Sequence, residues 1–178
     1  FEYLIDAMAG LPGTVLALAG DGTLADELRT RAAARGVLDR VRFLGNQTQD
    51  AVAAYLSAGD VVCVPSVRDD SGNVDGLPNV VLEALACGTP VVATPAGGIA
   101  SVIEHGVTGF IVPERDPAAL SRQLAGLAAD PEAGRRAGAA ARRLMQERFG
   151  WGRLAVRFEA AYAAALAFAS GRQLTFTG

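Results

Sequence analysis

A doubly wound α/β fold, a parallel sheet covered by helices on both faces, is what this sequence predicts. Two observations carry that prediction. Short β-branched or aliphatic runs alternate with longer helical patterns, and the connections between the runs are long enough for crossovers. The composition agrees, with 51% hydrophobic and 20% charged residues, which is ordinary for a globular α/β chain and too apolar for disorder. At 178 residues the chain fits one domain, 1–178, with one core.

The first residues, Phe1-Glu2-Tyr3-Leu4-Ile5, read as the middle of a helix with no charged leader, so the chain is expected to be cut from a larger protein. Strands are predicted at 14–19, 41–44, 61–64, 90–93 and 110–112, with helices between them. After Pro113, Asp116-Pro117 and Asp130-Pro131-Glu132 each place a capping Asp before a Pro at the first helical position, so two helices follow in succession. A last helix over 151–169 carries Leu154, Phe158, Tyr162 and Leu166 at helical spacing. That stripe is expected to pack as core, on this domain or on a missing neighbour.

Charge and cysteine usage remove several function classes. A formal net charge of −3 offers no electrostatic reason to bind a nucleic-acid polymer. The late arginines (Arg135, Arg136, Arg142, Arg143, Arg148, Arg153, Arg157) alternate with Glu132, Glu147 and Glu159 and are expected on a solvated helix face. Cys63 and Cys87 have neither redox nor zinc spacing, which favours a reducing, cytoplasmic setting. No unbroken apolar run of about 20 residues is present to span a bilayer.

In open parallel sheets, ligands bind outside the carboxyl ends of the strands. Four loops are therefore expected to matter: Gly20-Asp21-Gly22, Gly45-Asn46-Gln47, the long segment 65–77, and 94–98. The segment 65–77 feeds into an almost wholly apolar helix that starts near Pro78 and stops at Gly88. Glu83 is the only ionisable side chain in that helix, and a carboxylate among apolar residues is expected to be buried and to need donors. A ribose 2′,3′-diol would supply two hydroxyls to one carboxylate. Backbone groups or a neighbouring Arg would serve a structural glutamate equally well, and the helix alone leaves both readings open. Asn79 lies one turn back on the same face, and the N–H groups of Leu77, Asn79 and Val80 suit a diphosphate or sugar hydroxyls.

The arrangement of Asp75, seven residues, Glu83 and then Ala-Leu-Ala-Cys-Gly-Thr-Pro-Val-Val-Ala-Thr resembles the signature of the family-four, retaining glycosyltransferases of GT-B architecture. Matching segments in the same order are 1–8, Ala19-Gly20-Asp21-Gly22, Val41-Arg42-Phe43-Leu44-Gly45, Ala58-Gly59-Asp60-Val61, Gly97-Gly98-Ile99 and 106–113. The resemblance implies a Rossmann-like, donor-binding C-terminal half of a GT-B fold. It implies transfer of a sugar from a UDP- or GDP-sugar to an acceptor with retention, as in polysaccharide biosynthesis, with no metal or other cofactor. By the same resemblance Glu83 would hold the ribose, and Asp75 would be the catalytic acid beside the hexose and its departing phosphate. Gly76, Leu77, Pro78, Asn79 and Val80 would contact sugar and phosphate through backbone; Gly20, Asp21 and Gly22 would shape the cleft wall; Leu44 and Gly45 would lie near the base. The basic loop that grips the diphosphate would end just before Phe1. The acceptor-binding half would be missing, leaving the fragment inactive alone, and peripheral membrane attachment would belong to that half.

Two positions depart from the pattern: the first acid is Asp75 where Glu is common, and Ala100-Ser101 replace the usual Pro-Glu. Among rival readings, a sugar-nucleotide 2-epimerase would share the architecture but fits the local motifs less well. A calcium loop over Asp69, Asp70, Asn73 and Asp75 fails because Ser71 and Leu82 fall where acids are required. A flavodoxin-like signalling module using Asp60 fails because Asp60 precedes its strand. Arg68 reads as a surface residue and His105 as a loop residue, with no catalytic partners around it.

Overall fold

The computed structural model describes residues 1–69, 71, 72, 74 and 76–169. Two compact units divide the chain, Phe1–Arg142 and the segment from Arg143 onward. In chain order the elements are helix α1 (Glu2–Ala7), strand β1 (Leu16–Ala19), α2 (Ala25–Ala34), β2 (Val41–Gly45), α3 (Gln49–Ala58), β3 (Val62–Val64), α4 (Asn79–Cys87), β4 (Val91–Ala93), β5 (Phe110–Ile111), α5 (Pro117–Ala129), α6 (Pro131–Arg148) and α7 (Trp151–Ala169). Each predicted strand forms, with ends moved by a residue or two. The run at 14–19 yields a strand only from Leu16, because the Thr14 N–H turns back to Leu11 O and Arg40 takes the Thr14 carbonyl.

All pairings are parallel, as the alternation of strands and helices requires. The registers set Leu16 opposite Val41, Val62 opposite Val91 and Val92 opposite Phe110. The hydrogen bonding departs from one continuous sheet. It forms two ladders, β1-β2 and β3-β4-β5, and among the described residues no backbone hydrogen bond joins β1 to β3. Alternation fixes strand direction but carries no information about which strands are neighbours.

The core explains the layering. Val92 belongs to a buried cluster with Leu4, Ile5 and Met8 around α1 and with Leu120, Leu124 and Leu127 of α5. Its neighbours Val91 and Ala93 are equally buried and, by the alternation of a strand, face the opposite side, where α3 and α4 pack. Helices thus cover both faces. Burying side chains the size of Val81 and Leu85, both at 0% exposure, contributes about 1.5–3 kcal/mol each.

Polar anchors complete the frame. Asp6 of α1 accepts from Arg31 Nε at 2.8 Å and Nη2 at 2.5 Å, and from Arg35 Nε at 2.8 Å, tying α1 to α2. Arg40 donates to the carbonyls of Met8, Leu11 and Thr14, closing the turn that leads into β1. The Thr89 hydroxyl donates to Leu56 O, joining the end of α3 to the turn after α4. The predicted caps form: Asp116 accepts from Ala119 N at 2.8 Å, and Asp130 accepts from Ala133 N at 3.1 Å.

Helix α4 ends at Gly88, whose φ of 78° is the left-handed conformation that closes a helix. Helix α6 passes so close to this turn that a Cβ on Gly138 would lie 2.0 Å from Gly88 O. The late arginines occupy exposed positions, as expected. Within the described residues the stripe on α7 is left open: Phe158, Tyr162 and Leu166 are 59%, 70% and 72% exposed, and Trp151 is 86% exposed. Periodicity identifies an apolar face, but what covers it is not written in the helix.

Gly138→Ala is expected to destabilise the chain by about 1–3 kcal/mol through this backbone clash, read as a lower urea midpoint at unchanged slope; an unchanged midpoint would contradict the close approach. Asp6→Asn is expected to cost about 1–3 kcal/mol at neutral pH. Hydrogen bonding from Arg31, opposed by burial and helped by Arg35, holds the Asp6 carboxyl below its usual range. Its contribution is therefore present above the unfolded carboxylate pKa of about 3.9 and is lost as the pH falls through the lower folded value. The two proteins should converge in stability in acid, which parallel denaturation curves at pH 7 and pH 2 would check.

Candidate functional site

The predicted loops leave the carboxyl ends of parallel strands. Behind β1, Gly20 donates its N–H to Gly45 O at 2.8 Å, so the Gly20-Asp21-Gly22 turn and the Leu44-Gly45 end of β2 meet directly. Leu44 O also accepts from the Gln47 amide at 2.6 Å, and Asp21 and Gly22 are exposed.

The segment 65–77 is held at its start, where the Thr94 hydroxyl donates to Ser66 O and Thr94 N donates to Val64 O. Two further side chains hold Arg68: its N–H donates to the Glu114 carboxylate at 2.8 Å, and its carbonyl accepts from the Arg115 guanidinium at 2.6 Å. Beyond it, the Asp69 carboxylate accepts from Ser71 N and Ser71 Oγ, so this acid is engaged in forming the turn. Asp75, along with Asp70 and Asn73, lies outside the described residues.

The far end of the segment is fixed by Gly98, whose N–H donates to Gly76 O at 2.6 Å. A Cβ at Gly98 would come within 3.1 Å of Leu77 Cβ and 3.4 Å of Gly76 O. Helix α4 then starts at Asn79, one residue later than its Pro suggested, with Pro78 as the extended N-cap. Among the described residues no side chain caps this end, and Val81 N turns to Pro78 O, which leaves the N–H groups of Asn79 and Val80 directed out of the helix start.

Glu83 corrects an expectation: it is exposed, not buried. The helix is apolar in composition yet two-faced in placement. Val81, Ala84 and Leu85 are buried, whereas Asn79, Glu83 and Ala86 form an exposed stripe at helical spacing. An apolar sequence concealed this face because Ala86 carries too little side chain to mark it as polar. The consequence for chemistry is direct: the Glu83 carboxylate stands in the open, one turn from the uncapped N-terminus of its own helix, with Asn79 between.

Other candidate chemistries find little support. Burial pushes the Cys63 thiol up to about 12, which keeps it protonated and poorly nucleophilic at neutral pH. His105 accepts from Ile111 N through Nδ1 and stacks edge-on to Phe110, a structural role in the turn before β5. Among the described residues no three His, Cys, Asp or Glu side chains gather as they would around a metal ion, and no helix is long and apolar enough to cross a membrane. The sequence reading placed Gly98 in the ligand-facing loop 94–98 and in a matching motif, without its contact to Gly76, and passed over Glu114 and Arg115 altogether. Arg115 has φ 58°, rare outside glycine, which no local residue pattern announces.

Residues 1–144 match the family described as Glycosyl transferases group 1. A D-inositol 3-phosphate glycosyltransferase of Streptomyces bingchenggensis is 38% identical over 83% of this chain and 31% of its own length. A glycogen synthase of Mycobacterium tuberculosis is 34% identical over 90% of this chain and 39% of its own length. The chain thus spans well under half the length of these relatives. Among solved structures, Anabaena HepE in complex with UDP superposes with a TM-score of 0.83 and 26% identity, covering 91% of this chain and 44% of that one. Sucrose-phosphate synthase from Thermosynechococcus elongatus gives 0.81 and 31%, covering 93% and 42%. These neighbours are GT-B glycosyltransferases, so the α/β architecture of parallel strands flanked by helices expected from the motifs is the observed one.

Gly98→Ala is expected to push Leu77 and Gly76 aside and weaken the Gly98–Gly76 hydrogen bond. Amide exchange measured residue by residue should accelerate at position 98 and stay unchanged at Ala119, whose cap lies elsewhere; equal rates at position 98 would contradict the contact.

Proposed function

The chain belongs to the group 1 glycosyl transferases, and from that premise we propose that it supplies the nucleotide-sugar donor site of an enzyme that moves a sugar to an acceptor with retention of anomeric configuration. The observation that carries this reading is the exposed Asn79–Glu83 stripe beside the uncapped start of α4. A carboxylate in the open can accept from both ribose hydroxyls at once. The N–H groups of Asn79 and Val80, with the positive end of the helix dipole, suit the diphosphate.

In this reading Gly76, Leu77 and Pro78 bring backbone to the sugar, and Asp75 is the acid beside the hexose and the departing phosphate. The Gly20-Asp21-Gly22 turn forms the wall, and Leu44 and Gly45 lie by the base. Transfer then depends on stabilising the negative charge that develops on the leaving phosphate, without a metal. Uridine is the favoured base, because the structurally similar HepE was solved with UDP and with UDP-glucose. The acceptor belongs to the remainder of the protein, as does any membrane attachment. The chain alone is expected to bind donor without turning it over.

An NMR titration with UDP, GDP and ADP tests the site. UDP is expected to shift amides at 44–45 and 76–83, and Glu83→Ala is expected to weaken binding by about tenfold or more, the scale of hydrogen bonds to a charged group. A Glu83→Ala chain that binds UDP as well as the unsubstituted one would remove Glu83 from the ribose.

A further inference from the structure

Glu114 and Arg115 have no part in the donor contacts, yet they meet the segment that carries those contacts. They sit just past β5 and reach back to Arg68, four residues beyond the end of β3. A residue has one backbone donor and one backbone acceptor to offer outside regular structure. At Arg68 both are taken by adjacent side chains of another loop: the N–H by the Glu114 carboxylate at 2.8 Å, the carbonyl by the Arg115 guanidinium at 2.6 Å. Arg115 holds φ 58° while doing so, a backbone conformation that persists in a non-glycine residue where its surroundings enforce it.

We propose that Glu114 and Arg115 are positioning residues for the donor site: together they pin the start of the site segment at Arg68, while Gly98 pins its end at Gly76. This inference rests on the donor-site reading above. In the chain Asp75 comes seven residues after Arg68 and one before Gly76, and fixing the two ends of a segment narrows the conformations open to what lies between them. The clamp acts on the sugar end of the site. It leaves the Glu83 contact to the ribose alone, because α4 is held separately through its buried Val81, Ala84 and Leu85.

The test compares UDP with UDP-glucose on the unsubstituted chain, Glu114→Ala and Glu114→Gln, by calorimetric titration, with amide exchange at Arg68 as a ligand-free measure of the clamp. Glu114→Ala is expected to speed exchange at Arg68, to weaken UDP-glucose by about three- to tenfold, the scale of one lost hydrogen bond, and to leave UDP within about twofold. Glu114→Gln keeps an acceptor oxygen and should restore both readouts. Unchanged UDP-glucose affinity in Glu114→Ala, or an equal loss for UDP and UDP-glucose, overturns the positioning role. If the unsubstituted chain binds neither ligand, the donor-site reading itself fails and the positioning role falls with it; Arg68 exchange then reports only whether the clamp exists.

Discussion

The geometry of the site depends on how closely two pieces of backbone approach at one turn. Helix α6 lies against the Gly88 carbonyl at the end of α4, and there is room for it only because Gly138 has no side chain. Gly88, in the left-handed conformation, ends the helix there and turns the chain toward β4. With its end fixed and Val81 and Leu85 fully buried, α4 has one rotational setting open to it. That setting decides which of its residues face outward, and hence that Glu83 and Asn79 share the open side.

The rest of the site is arranged around that helix by hydrogen bonds between loops. Gly98 meets Gly76 just before α4, Thr94 meets Ser66 just after β3, and Gly20 meets Gly45 behind the first ladder. These are backbone positions held by backbone and small side chains, which suits contacts to phosphate and sugar made through N–H groups. The one ionisable side chain in α4, Glu83, is exposed, a placement that would be costly for a charge in a core and is cheap in water.

Much of this was legible in the sequence. The runs around Val41, Val62 and Val91, the Asp116-Pro117 and Asp130-Pro131 starts and the Gly88 stop are local signals, and local physics decides them. The segment order from Gly20 to Glu83 likewise resembled one family strongly enough to name it. What sequence reading missed is decided by distant neighbours. Glu83 is exposed because the opposite face of α4 is the one that packs, and the grip of Glu114 and Arg115 on Arg68 joins positions far apart in the chain. The split between β1-β2 and β3-β4-β5 belongs to the same class, since strand order is a property of the whole sheet.

That split has a consequence for the behaviour of the chain in solution. Strand β1 is paired on one side only, and so is β3. Neither strand carries a charge or a proline, the first reading Leu16-Ala17-Leu18-Ala19 and the second Val62-Cys63-Val64. Proteins usually guard such edges with charge or proline, because an unguarded edge accepts an extended strand from any chain that offers one. Here the guard is burial: Leu18 and Val64 are buried and Leu16 and Cys63 pack against one core cluster, so loosening of that core is what would open these edges to strand addition.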